Sequence, residues 1–175
     1  VIFVCAARHV GLALAKSAIS SGRKVAFAFG CSSADDIRLH YAAAVDYTRD
    51  RRSGSIRKVD NSQGQKVEII ISDIKSYISS MHYMCAFNEK ENIITYWDEP
   101  TITLDYDSHP IHEFIKKNWE ENLIPNMVLS SATLPQEEEL APTIRDWCSR
   151  FADSDVTSIV SFDCKKILKH CTKLK

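Results

Sequence analysis

The sequence predicts an α/β fold, a mostly parallel sheet with helices on both faces. Three observations predict it. Apolar strand-like segments alternate along the chain with segments whose apolar residues recur at helical spacing, the pattern of strand–helix–strand units. A chain of 175 residues is long enough for one core, since a domain of that size buries about 70% of its unfolded surface. No internal repeat and no second core interrupts the series.

The elements follow in order. Val1-Ile2-Phe3-Val4-Cys5 reads as a buried strand, and Leu12, Ala15 and Ile19 mark one face of a helix that stops at Ser20-Ser21-Gly22. Val25 to Phe29 is a second strand, closed by Gly30. Ala34, Ile37, Tyr41, Ala44 and Val45 then repeat at helical spacing. From Thr48 to Lys66 the chain turns polar and basic, which predicts one long loop. Val67 to Ile71 is a strand, and Ile74, Tyr77, Ile78 and Met81 give the next helix face. Asn92 to Trp97 is a strand ending in Asp98-Glu99. Pro110 opens a helix through Ile111, Phe114, Ile115 and Trp119. Met127 to Leu129 is a short strand. Ile144, Trp147, Cys148 and Phe151 form a helix in which Trp147 and Phe151 are packing residues. Val156 to Phe162 reads as the last strand.

Composition narrows the classes. The 45% hydrophobic and 26% charged fractions exclude disorder and collagen-like repeats. No apolar run approaches the roughly 20 residues of a membrane span, so no membrane partner is expected. With 22 basic against 23 acidic residues, no bulk field marks a nucleic-acid binder, and any such contact must be local. The six cysteines lie far apart, several inside apolar segments, which suits reduced thiols in an intracellular protein. The opening strand has no initiator Met or leader before it, and a strand needs neighbours. Either the chain is processed or it is a piece of a longer one; the piece is the expectation, with the sheet incomplete at its N-terminal edge.

In an open parallel sheet, ligands bind at the carboxyl ends of strands. Two ends carry unusual polar residues. After Ile93-Ile94-Thr95-Tyr96-Trp97 come the adjacent carboxylates Asp98 and Glu99. One can hold Mg²⁺ through water while the other orients or deprotonates a nucleophilic water, a division suited to nucleotide hydrolysis. The bland alternative is an acidic, solvated turn. After Met127-Val128-Leu129 come Ser130-Ser131-Ala132-Thr133-Leu134-Pro135. Thr133 with Gln136 matches the reciprocal capping pattern, and Glu137-Glu138-Glu139 suits a helix start, so Thr133 also reads as a cap.

Trp97-Asp98-Glu99-Pro100, followed by Leu129-Ser130-Ser131-Ala132-Thr133-Leu134-Pro135, resembles motifs II and III of superfamily 2 helicases, the DEAD/DEAH-like class. Val4-Cys5-Ala6-Ala7-Arg8 before an apolar helix is similar to motif Ia, and Ile69-Ile70-Ile71-Ser72-Asp73 stands in the place of motif Ib. The resemblance covers roughly residues 1 to 135. It implies a RecA-like domain of the P-loop NTPase type over residues 1–163 and a basic tail or linker over 164–175. It also implies ATP and Mg²⁺ as cofactors of the intact parent. Asp98 would bind Mg²⁺–ATP and Glu99 would activate the attacking water. Ser131, Ala132 and Thr133, with Thr101, would couple nucleotide state to strand separation. Arg8 and Ser72 would contact phosphates of a single-stranded DNA or RNA backbone, and a second RecA-like domain would be the partner in cis.

The departures are specific. Pro100 and Thr101 replace the Ala and the His or Asp usual after the acidic pair, a form similar to divergent viral helicases. Motif Ia lacks its Pro and its acidic residue, having Ala6 and His9 nearby. No G-x-x-x-x-G-K-[ST] loop occurs in the chain; Gly22-Arg23-Lys24 and Gly64-Gln65-Lys66 are wrongly spaced. The chain alone is therefore expected not to hydrolyse ATP. Two alternatives stay open: a non-catalytic nucleic-acid-binding module of the same fold, and an unrelated Mg²⁺-dependent phosphohydrolase.

Other candidates are weaker. Cys164, His170 and Cys171 make three metal-type ligands without a second pair. His109 and His112 lack a partner at metal spacing, Cys31-Ser32 has no evident base, and Arg49, Arg51 and Arg52 read equally as phosphate contacts or a solvated basic loop.

Overall fold

The computed structural model describes residues 1–133, 135–136, 138–152 and 154–159. The chain divides into two compact units, Val1–Leu134 and Pro135–Lys175. In the first unit β1 (Ile2–Cys5), α1 (Arg8–Ser20), β2 (Val25–Ala28) and β3 (Arg38–Leu39) come first. Next come β4 (Tyr47–Arg49) and β5 (Ile56–Val59), then β6 (Ile69–Ser72), α2 (Tyr77–Cys85), β7 (Ile94–Asp98), α3 (Ile111–Glu121) and β8 (Asn126–Ser130). The second unit holds α4 (Ala141–Arg150).

Six strands form one sheet in the order β3-β2-β6-β1-β7-β8, parallel throughout except for the edge strand β3. This is the expected α/β class, compatible with a RecA-like fold. The first strand is central because its apolar run fits a position covered on both faces. Phe3, with Ile69 and Ile71 of β6, packs against Ala15 and Ala18 of α1. Ile2, Val4 and Ile70 join Tyr77 and Met81 of α2 and Phe114 of α3 on the opposite face. Each fully buried Ile or Val there contributes about 1.5–3 kcal/mol.

Helix α1 presents Gly11, Ala15 and Ala18 to the sheet. Gly11 sets the distance. A Cβ on it would lie 2.7 Å from Ile71 Cγ2 and 2.9 Å from Cys5 Sγ, so nothing larger than glycine fits without movement. On the other face a polar trio is buried: the Tyr77 hydroxyl donates to Asn122 Oδ1 and lies 3.2 Å from Thr95 Oγ1. Asn122 in turn donates from Nδ2 to Ile124 O at 2.8 Å, fixing the entry into β8. In the second unit, Trp147 is buried and its ring lies 4.5 Å from that of Phe151.

Four sequence expectations are corrected. Residues 34–45 are not a helix. Asp36 Oδ2 accepts from the N–H of both Ser32 and Ser33 at a 3-10 turn, Ala34–Asp36, after which Ile37 is extended and β3 pairs antiparallel with β2; a second 3-10 turn, Tyr41–Ala43, follows. Burial at Ile37 and Leu39 but not Arg38 is the two-residue period of an edge strand. The stretch 48–66 is not one loop, because β4 and β5 pair as an antiparallel hairpin. Asp50 closes its turn: its N–H donates to Ser55 O, its O accepts from Gly54 N, and Oδ1 accepts from Arg52 N and Ser53 N. Residues 156–159 carry no strand, and Val156 and Ile159 are exposed; residues 160–162 of that expected element lie outside the described residues. Finally, no helix starts directly after Thr133 among the described residues. Helix α4 begins at Ala141, and the Thr133 hydroxyl is engaged elsewhere. The expected tail 164–175, with Cys164, His170 and Cys171, also lies outside the described residues. Among them, no helix is long and apolar enough to cross a membrane.

Candidate functional site

The connection from β1 leads to β2 on one side, and that from β7 leads to β8 on the other. Adjacent strands whose connections diverge open a crevice at their carboxyl ends, the usual ligand position of such sheets. Cys5 and Asp98 stand side by side in register at the carboxyl ends of these two paired strands. Asp98 is in turn in register with Ser130 on β8. Residues ending three neighbouring strands therefore meet in one row.

The chain turns sharply after Asp98. Glu99 has a φ of 53°, a left-handed conformation uncommon for a residue with a side chain. Its N–H donates to Ser130 O at 2.7 Å, extending the β7–β8 ladder by one bond. Its carboxylate lies over the end of β8. Ser131 Oγ donates to Glu99 Oε2 at 2.6 Å, and Ala132 N makes a long contact of 3.4 Å to Oε1. Thr101 Oγ1 lies 2.9 Å from Ser131 Oγ and 3.2 Å from Thr133 Oγ1. Thr133 N donates to Ser131 Oγ at 3.1 Å. The structure thus brings Glu99, Thr101, Ser131, Ala132 and Thr133 into one hydrogen-bonded cluster.

Asp98 is different. It is half-buried, and no hydrogen-bond donor or ion-pair partner reaches its carboxylate among the described residues. Burial, and secondarily the neighbouring Glu99 charge, hold its pKa above the usual carboxylate value. Cys5 beside it is buried, its Sγ 3.8 Å from Ser72 O. Burial first, with smaller contributions from Asp98 and Asp73, pushes its thiol pKa up.

The remaining expected residues lie apart from this cluster. Arg8 is exposed at the first position of α1, its guanidinium 5.0 Å from the centre of the Phe29 ring. That helix start has neither a side-chain cap nor an acidic residue in its first turn. Ser72 is fully buried. Its hydroxyl donates to Asp73 O at 2.8 Å and accepts from Ser80 Oγ at 3.0 Å, so it is not presented to a phosphate. Asp73 accepts from Gly30 N and Ser76 N and ties the exits of β2 and β6 together. His112 Nε2 is 2.8 Å from Thr103 O, which fixes the turn after Glu99 to α3. The place of Cys5 beside Asp98 has no mark in the sequence, because it depends on strand order. Sequence reasoning missed the role of the turn at Glu99, since a left-handed Glu has no sequence mark.

No group of three or more His, Cys, Asp or Glu side chains able to hold a metal occurs among the described residues. Comparison with protein-family models, with curated proteins and with solved structures finds no match for this chain.

Proposed function

We propose that these residues are part of the first RecA-like domain of an ATP-dependent nucleic-acid helicase of superfamily 2, with Asp98 and Glu99 as its hydrolytic edge. The observation that carries this reading is the Ser131–Glu99 hydrogen bond. It joins Glu99, the second of the two adjacent carboxylates, to the hydroxyl cluster at the ends of adjacent parallel strands, with Thr101 and Thr133 in the same network.

The chemistry fits unevenly. A half-buried carboxylate without a donor suits a divalent cation, whose charge would draw the Asp98 pKa back down. Mg²⁺ would be held there through water and would neutralise phosphate charge. Glu99 Oε1, with only its long contact, keeps acceptor capacity for a water. The nucleotide phosphates do not fit, because the sequence has no G-x-x-x-x-G-K-[ST] loop to cradle them. No hydrolytic step is therefore assigned to these residues alone. In this reading the phosphate loop and a second RecA-like domain belong to sequence beyond the 175 residues. A nucleic-acid backbone would meet Arg8 at the uncapped start of α1, where free N–H groups and the helix dipole favour anions.

The test is ATP turnover. In a longer reading frame, where one carries a phosphate loop, Glu99→Gln should lower turnover by about 100-fold or more and leave ATP binding intact. Mg²⁺-dependent phosphate release by the 175-residue chain alone, abolished by Asp98→Asn, would instead establish a self-contained phosphohydrolase.

A further inference from the structure

The β4–β5 hairpin stands at the opposite end of the sheet from Asp98. Strand β3 runs back along β2 and ends where His40 N donates to the O of Val25, the first residue of β2. The hairpin follows directly. Its foot is fastened by Asp60 N to Asp46 O at 3.0 Å, by Leu39 N to Asn61 Oδ1 at 2.9 Å, and by Tyr83 Oη to Asn61 O at 3.0 Å. Beyond that foot the ribbon is open: all of β4 is exposed, and in β5 only Ile56 and Val59 are partly covered.

Its charge is unlike that of the chain. Residues 47–60 carry Arg49, Arg51, Arg52, Arg57 and Lys58 against Asp50 and Asp60, a surplus of cations in a chain whose net charge is -1. Both acids are already engaged. Asp50 accepts from the N–H of Ser53 and Arg52 and pairs with Arg57. Asp60 accepts from the hydroxyl and N–H of Ser62. Arg49, Arg51, Arg52 and Lys58 form no ion pair among the described residues. Arg49 is held by aromatic rings instead, its guanidinium 5.8 Å from the centre of Tyr41 and 5.4 Å from that of Tyr47. The two rings meet edge to face at 5.4 Å, and Tyr47 is exposed.

We propose that this hairpin is a binding surface for single-stranded nucleic acid. Phosphates would be taken by Arg49, Arg51, Arg52 and Lys58, and a base would stack on Tyr47. Unpaired cations combined with an exposed ring are what a flexible polyanion carrying flat bases recognises. An acidic protein partner fits less well, because the buried centre of a protein interface is depleted in charged residues. Tyr47 is the one large hydrophobic side chain exposed on the ribbon. The surface is separate from the strand-end crevice, so it stands whether or not Asp98 and Glu99 serve hydrolysis.

The test uses the 175-residue chain without nucleotide and a fluorescein-labelled oligothymidylate of about 20 residues, long enough for one such site. Anisotropy is followed over a range of salt concentrations. Binding should weaken with salt, and the combined Arg51→Ala, Arg52→Ala and Lys58→Ala variant should lower the slope of log K against log salt by about 2. Its affinity should fall at least about tenfold, with an unchanged melting curve. Tyr47→Ala should weaken binding about fivefold or more with the slope unchanged, and Tyr47→Phe should restore it. Unaltered binding by the folded triple variant would overturn the proposal. So would polyglutamate competing as well as the oligonucleotide, or a duplex of the same length binding more tightly.

Discussion

Ser131 donates its hydroxyl hydrogen to Glu99 Oε2 at 2.6 Å, fastening the turn after β7 to the end of β8. A neutral donor on a carboxylate is a charge-assisted bond, stronger than one between neutral groups. Partial exposure reduces its net value. Ser131→Ala is expected to destabilise the fold by about 1 kcal/mol in urea unfolding. Thr101→Ala should cost less, since Ser131 still holds Glu99. In a double-mutant cycle, Glu99→Gln and Ser131→Ala should couple by about 0.5–1 kcal/mol. A coupling near zero would mean that the bond does not persist in solution.

Asp98 is held protonated to higher pH in the folded chain than in the unfolded one, by burial and then by Glu99. The sign follows directly. A carboxyl with a raised folded pKa contributes stability that is complete below its unfolded value of about 3.9 and is lost as pH rises through the folded value. Asp98→Asn removes that loss. The variant should melt at a higher temperature than the parent at neutral pH, and the gap should close below about pH 4. An equal difference at both ends of the range would show that the effect is not ionisation.

Gly11→Ala sets two effects against each other. Helix propensity favours Ala by about 1 kcal/mol. The new methyl would sit 2.7 Å from Ile71 Cγ2 and 2.9 Å from Cys5 Sγ, forcing α1 away from the sheet. Overpacking of that kind costs about 1–3 kcal/mol, so the net change should be destabilising. A stabilised variant would place α1 further from β6 than described.

Tyr77→Phe removes a fully buried hydroxyl that contacts both Asn122 and Thr95. Asn122 keeps its bonds with Ile124, but Thr95 loses its hydroxyl neighbour in the core. A loss of about 1–3 kcal/mol is expected in thermal unfolding, the cost of leaving a buried polar group unpaired.

Much of the central sheet was legible because its strands are short apolar runs that stop at polar residues. Trp97-Asp98 and Leu129-Ser130 read as strand ends for that reason, and consecutive parallel strands joined by one helix tend to be neighbours. The same logic does not place β6 between β1 and β2, because β6 arrives after the 34–66 excursion. Ala34 to Val45 misleads by accident: small and apolar residues fall at helical spacing, but Asp36 stops the first turn by bonding Ser32 and Ser33. The hairpin was hidden by its composition. With all of β4 exposed and only Ile56 and Val59 of β5 partly covered, it has no apolar alternation to betray it, and Gly54, at a φ of 70°, marks its turn. At the candidate site the residue types were readable and their grouping was not. Glu99 reaches Ser131 through a backbone conformation that nothing in Asp-Glu-Pro-Thr announces.

The central position of β1 has a consequence for how the protein is made. Ile2 pairs with Ile70 on one side and Thr95 on the other, so both edges of this strand wait for distant sequence. During synthesis the segment Ile2–Cys5 leaves the ribosome unpaired and stays so until β6 and then β7 have followed. Such long-range closure slows folding and leaves an apolar strand open to mispairing in the meantime. Nascent chains that end before residue 69 should therefore be sticky, and release from holding chaperones should coincide with the emergence of β6.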